Sequence, residues 1–171
     1  MRTTDETREM REFLRHTVAT LAYRSGKVLR DVPADFASLR PSASTRRPLD
    51  VLAHMGDLMQ WATRMARGED SWTPLPATDW ESALERYFQG LRDLDASLAR
   101  EPLERAQAER IFQGPVADAL THVGQLALMR GMCGLQVRPE SYARADIRAG
   151  RVGRDQPAPR AEFDGDASPP R

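Results

Sequence analysis

The 171 residues include only three histidines, and two of them stand where metal chemistry would need them. In PVADALTHVGQL, residues 115–126, Asp118 and His122 are four positions apart. On a helix that spacing places both side chains on one face, one turn apart. A carboxylate oxygen and an imidazole nitrogen at similar height can bind one divalent ion of the zinc, iron and nickel group. Two ligands make a weak site, so a third has to come from a facing helix. His54, in DVLAHMGDLMQW (residues 50–61), is the candidate, because it sits beside an apolar stripe rather than opposite it. Two imidazoles and one carboxylate leave at least one coordination position for water or a substrate. That arrangement suits a Lewis acid activating a nucleophile. The same residues also have a plainer reading. Asp118 and His122 make an ordinary i,i+4 hydrogen-bonding pair, and His54 a core or boundary histidine. Spacing alone leaves both readings open.

Neighbouring residues are weighed in the same way. Gln125 and Met129 continue the edge of Asp118 and His122. Gln125 suits either a partner that holds a ligand's orientation or simple helix packing, and Met129 reads as core. His16, in the first helix, reads as a structural or surface histidine, with a fourth ligand as the sharper alternative. Cys133 has no histidine near it in sequence and reads as a small buried residue at a glycine-rich helix end. Trp61, Trp72 and Trp80 read as core and loop anchors, with the lining of a pocket as the sharper alternative, and Tyr23 and Arg24 as residues able to reach a bound anion.

Four helices have to position these groups. Apolar spacing predicts them over residues 5–31, 48–67, 79–102 and from Pro115 to Gly131 or Gly134. The first opens with Thr3 and Glu6 at capping-box spacing, and Met10, Phe13, Leu14, Thr17, Leu21, Val28 and Leu29 form its apolar face. Pro48 suits the first turn of the second helix, whose stripe is Leu52, Met55, Leu58, Met59, Ala62 and Met65, and Gly68 stops it. Thr78 and Glu81 mark the third, with Leu84, Tyr87, Phe88, Leu91, Leu94 and Leu98 recurring at helical period. Val116, Leu120, Val123, Ala127 and Leu128 can face a core from the fourth. No strand-period run competes. The fold class is therefore all-α, a four-helix bundle with a short C-terminal appendage near residues 138–153. Residues 1–154 form one domain. Residues 155–171, proline-rich and nearly devoid of aromatic residues, are expected to be a disordered tail unless docked.

Composition narrows the function classes. Twenty-five basic residues balance 25 acidic ones, so no basic field is present for nucleic acid or an anionic membrane. No apolar stretch approaches the roughly 20 residues of a membrane span. The charged N-terminus lacks the apolar core of a secretory signal. A single cysteine excludes an intrachain disulfide. These features together predict a soluble cytoplasmic protein.

LAHMGDLMQW (residues 52–61) and DALTHVGQL (118–126), in that order and helical setting, resemble the DinB/YfiT-like superfamily, and RPESYARADIRAGRVGRDQ (138–156) is similar to the tail of one of its branches. The resemblance spans about residues 10–155. It implies a four-helix bundle, a homodimer and a metal held by three side chains. His54 matches the histidine of the second helix. His122, Gly124 and Gln125 match the end of an H-x-x-x-H-R-G-Q pattern, while Asp118 and Val123 depart from it. The implied ligand set is His54, Asp118 and His122, with the carboxylate shifting preference toward iron or manganese within the group of zinc, nickel, iron and manganese. The resemblance also implies a small-molecule substrate, a low-molecular-weight thiol that the metal activates for transferase or isomerase chemistry. The rival reading is a non-catalytic dimeric bundle whose polar trio is a vestigial site.

Overall fold

Each helix buries the apolar face that its spacing defines, and four helical rods result. The computed structural model of the protein describes residues 2–100 and 102–164, with side chains from residue 5 onward. Helix α1 spans Arg2–Leu29, α2 Pro48–Ala66, α3 Trp80–Arg100, α4 Arg105–Ile111 and α5 Ala117–Met132. A single π-turn, Phe112–Val116, joins α4 to α5, so the two act as one rod. Among the described residues there is no β-strand, only an isolated bridge between Glu140 and Glu162. The architecture is the expected all-α four-helix bundle.

The ends of the rods follow local chemistry. Pro48 opens α2, where its missing N–H costs nothing. Gly68, with φ +82°, stops it. The cap of α3 falls on Asp79 rather than on the Thr78–Glu81 pair. Asp79 accepts the Ser82 backbone N–H at 2.9 Å and the Ser82 hydroxyl at 2.7 Å. Helix α1 already includes Thr3; its side chain, and with it the Thr3–Glu6 capping box, lies outside the described side chains.

The largest departure from expectation concerns the fourth rod, which starts at Arg105 rather than at Pro115. Proline inside a helix lacks a donor and its ring crowds the carbonyl one turn back. Here the chain absorbs Pro115 by widening that turn, and the Ala117 N–H reaches back to the Phe112 carbonyl. The extra residue also rotates α5 relative to α4, which sets the direction in which Asp118 and His122 point.

Contacts between the rods fix their directions. Arg15 pairs with Asp95, and Ser25 meets Tyr87, so α1 and α3 are antiparallel. Met59 packs on Gly90 and Arg67 reaches Ser97, so α2 and α3 are parallel. The α2–α3 approach is close. A Cβ on Gly90 would sit 2.7 Å from that of Met59. Trp61 lies on Gly114, and His54 meets Asp118, so α2 and α5 are antiparallel. Neighbours around the bundle run α1, α3, α2, α5, with α1 and α2 on a diagonal.

Two long connections follow from this arrangement. Parallel neighbours cannot be joined by a tight turn, so residues 67–79 must return along α2, a distance of about 28 Å for its length. Residues 30–47 must cross the diagonal from α1 to α2. Both segments finish at the N-terminal end of the α2–α3 pair, close to His54.

The stripes of α2 and α3 are buried as expected. Phe13 and Leu128, assigned to the core by their spacing, are exposed. The buried face of α1 is instead Leu14, Val18, Leu21, Ser25 and Val28. Ser25 is satisfied there, donating to the Leu21 carbonyl at 2.7 Å and accepting from Tyr87 at 3.0 Å.

Tyr23 and Arg24 hold the C-terminal segment rather than facing an open site. Tyr23 donates to Glu140 at 2.7 Å, and Arg24 lies 4.1 Å from the Tyr142 ring centroid. Lys27, the only lysine in the chain, bonds Glu140 at 2.9 Å and Glu162 at 2.8 Å. Burial lowers the proton affinity of Lys27, but its hydrogen bonds to Glu162 and Glu140 outweigh that and leave its pKa raised. Burial, then Glu140, raises that of Tyr23. The appendage contains only one short 3-10 turn, Tyr142–Arg144. Residues 155–164 are docked, with Ala161 buried and its carbonyl accepting the Ser141 N–H at 3.0 Å. The rest of the expected tail, residues 165–171, lies outside the described residues.

With side-chain exposures of 8% and 0%, Lys27 and Glu140 form a buried pair. Lys27→Met leaves Glu140 buried without its cation and should cost roughly 3–5 kcal/mol, read from urea unfolding. Adding Glu140→Leu should recover a large part of that loss. A Lys27→Met protein that unfolds at the same urea concentration as the parent would show that the cluster contributes nothing.

Candidate metal centre

The antiparallel α2–α5 pair brings His54 against Asp118 and His122. His54 projects from the second turn of α2, whose buried residues lie on either side of it. Asp118 and His122 follow the π-turn on the first two turns of α5. His54 Nε2 is 3.3 Å from Asp118 Oδ2, and His122 Nε2 is 3.4 Å from Asp118 Oδ1. The two imidazole rings meet edge to face, with centroids 5.1 Å apart. One candidate ligand atom from each residue lies within 4.8 Å of the other two. Among the described residues this is the group of histidine, cysteine and acidic side chains that could hold a metal ion.

Distances bear on both readings of the trio. Good N–H···O hydrogen bonds run from about 2.7 to 3.2 Å, and both carboxylate–imidazole separations exceed that. The two separations run to different oxygens of one carboxylate, so they suit a long-range hydrogen-bonded cluster as well as a set of donors that could close on one ion. Side-chain exposure grades across the site, from 10% at His122 through 24% at His54 to 45% at Asp118. The two imidazoles form the inner wall, and the carboxylate faces solvent.

Gln125 resolves the two options left open for it. It lies one turn beyond His122, with its Oε1 2.8 Å from His122 Nδ1. The amide oxygen accepts the Nδ1–H, which leaves a lone pair on Nε2, the atom facing Asp118. Met129 is buried, yet it also lines the cavity beside the trio.

Two neighbours of His54 could not be placed beside it from spacing. Trp72, on the crossover, stands edge-on to His54 with centroids 5.7 Å apart and to Trp61 at 5.6 Å. The crossover is pinned on both sides of it. Trp61 Nε1–H donates to Asp70 at 3.0 Å, and Arg110 also pairs with Asp70. Further on, the Leu75 N–H donates to Asp57 at 3.1 Å. Asp57 is itself held by Arg86 at 2.6 Å, whose other nitrogen donates to the Ala53 carbonyl at 2.7 Å. The His54 ring is thus wedged between Trp72 and His122. This contact depends on the parallel α2–α3 pairing, which spacing does not reveal.

The second neighbour is the loop before α2. Pro41, Thr45 and Arg46 line a cavity of about 620 Å³ that is shared with the trio, Gln125, and Leu128, Met129 and Met132 of α5. Such a volume falls within the range of small-molecule sites. Other candidates lie elsewhere. His16 is exposed on α1 and is not part of the trio. Cys133, expected to be buried, is exposed at the end of α5. Trp61 packs on the crossover, and Trp80 stands edge-on to Phe36 at 5.7 Å, both as anchors.

Set against known proteins, the chain has no match to a family model, to a curated protein or to a solved structure. No helix among the described residues is long and apolar enough to cross a membrane.

The Gln125 contact has a direct consequence. Neutral His122 should populate the Nδ1–H tautomer, with Nε2 unprotonated, in nitrogen-15 spectra of the metal-free protein. Gln125→Leu should let the other tautomer appear. Identical His122 tautomer populations in parent and variant would remove Gln125 from this role.

Proposed function

We propose that this chain is a DinB-like metal-dependent enzyme that uses a divalent ion to activate a low-molecular-weight thiol, or water, against a small electrophilic substrate. The observation that carries the reading is the convergence of His54, Asp118 and His122 from two antiparallel helices, with one candidate ligand atom from each within 4.8 Å of the others, beside a cavity of small-molecule size. Zinc, nickel, iron and manganese all accept two imidazoles and a carboxylate. The ion would supply Lewis acidity, lowering the pKa of a thiol or water that it binds. The chain's own residues supply the rest. Gln125 keeps the His122 lone pair on Nε2, Trp72 restrains the His54 ring, and the α5 side chains Leu128, Met129 and Met132 give the cavity an apolar wall.

Membership of the DinB/YfiT-like superfamily is part of this proposal. The four-helix bundle and the placement of His54, His122 and Gln125 support it. A homodimer is the assembly we infer, in keeping with the exposed apolar residues Phe13, Leu128 and Met132. The cytoplasm is the compartment we infer, where an exposed thiol such as Cys133 stays reduced.

The experiment is metal analysis of protein purified without a histidine tag. About one divalent ion per chain is expected, and it should be lost in His54→Ala, Asp118→Ala and His122→Ala while far-ultraviolet circular dichroism stays unchanged. Gln125→Leu should weaken affinity by about 10–100-fold without abolishing it. A parent protein that takes up no zinc, nickel, iron(II) or manganese would make the trio a hydrogen-bonded cluster and the bundle a binding module.

A further inference from the structure

We propose that the small molecule taken by the cavity beside the trio carries a carboxylate, and that Arg46 is the specificity-determining residue that binds it. This rests on the reading that the trio holds a divalent ion. The argument begins with charge. Asp118 and Arg46 are the only charged ones among the described residues lining the cavity. Among the described residues, Arg46 has no ion-pair or hydrogen-bond partner, while the adjacent Arg47 is clamped to Asp50 at 2.7 and 2.8 Å. A divalent ion outweighs Asp118 by one charge, the imidazoles are neutral, and Arg46 adds a second. The loaded cavity therefore has a surplus of two positive charges, and a ligand with one anionic group at each end would neutralise it.

Position supports the same assignment. Arg46 follows a turn in which the Ser42 and Thr45 hydroxyls lie 2.6 Å apart and the Thr45 N–H donates to the Ser42 carbonyl at 3.3 Å. It precedes the Arg47–Asp50 clamp and Pro48 at the start of α2. The backbone on both sides is held, so Arg46 lines the cavity from a fixed root rather than from a loose loop. A planar guanidinium binds carboxylate through two parallel hydrogen bonds. A phosphate monoester, with about two charges of its own at neutral pH, would overfill the surplus once the other anionic end is counted. Leu128, Met129 and Met132 line the same cavity, which favours an apolar segment in the ligand.

The test compares 3-mercaptopropionate with 3-mercaptopropanol by calorimetry on zinc-loaded protein. The carboxylate should bind at least about tenfold tighter, the value of a charge-assisted hydrogen bond. Arg46→Gln should erase the difference, and Arg46→Glu should reverse it, both at unchanged zinc stoichiometry. Arg46 is exposed, so neither variant should disturb folding. Equal affinities in the parent, or a preference that survives Arg46→Gln, would overturn the assignment. A parallel measurement separates this from failure of the thiol reading. Hexanoate is titrated into metal-free protein while the Arg46 side-chain resonances are followed. If neither thiol binds but hexanoate shifts those resonances and hexanol does not, the assignment of Arg46 stands and the thiol reading alone fails. No response to hexanoate in that case overturns both.

Discussion

The parallel packing of α2 on α3 is the constraint from which the site follows. It depends on Gly90, the residue that lets the two backbones close to the distance Met59 requires. Parallel neighbours demand a long return path, and that path carries Trp72 to the face of His54. The same topology leaves α1 and α2 on a diagonal, so a second long segment has to arrive at the start of α2. It delivers Thr45 and Arg46 to the cavity. Two segments that look like featureless loops in the sequence are therefore the two sides of the site. Helix directions alone decide where they end.

The trio was legible because helical spacing is a rigid ruler. Asp118 and His122 share a face wherever a helix forms, and His54 had to lie beside the α2 stripe because its neighbours fill that stripe. The relative register of two helices is not written in either one. Whether His54 would meet Asp118 depended on the π-turn at Phe112–Val116, which turns α5 by one residue relative to α4. Pro115 obscured it. A proline after a glycine reads as a helix start, and only the strain of placing it inside a continuous rod explains the wider turn. Phe13 and Leu128 obscured the core in a similar way. Their spacing matches the buried faces, but spacing cannot say how far around a helix its neighbours reach. Both stand on the uncovered side.

Charge placement was the least legible feature. The sequence shows 25 acids and 25 bases without saying which meet. In the fold, Lys27 is committed to Glu140 and Glu162, Arg86 to Asp57, and Arg15 to Asp95. These pairs tie elements together far apart in sequence, and their members are unavailable to a ligand. A basic residue left beside a cavity without such a partner carries more information than a paired one, since its charge can still meet an anion.

Asp118 gives the trio a different character from three imidazoles. Each imidazole Nε2 faces one of its oxygens, and with the His122 lone pair on Nε2 it is His54 that can donate to Asp118 when no ion is bound. The donors are thus gathered in advance, and little rearrangement is needed for them to act together. The carboxylate also removes one charge from whatever ion is held, which softens its pull on anions and leaves the remaining attraction to be divided between the ion and Arg46. Its greater exposure than either histidine places that negative charge at the mouth of the cavity rather than at its base. An approaching anion therefore meets Asp118 as a repulsive edge and Arg46 as an attractive one. An anion that reached both a bound ion and Arg46 would meet the whole of that attraction, whereas one at Arg46 alone would meet only part of it.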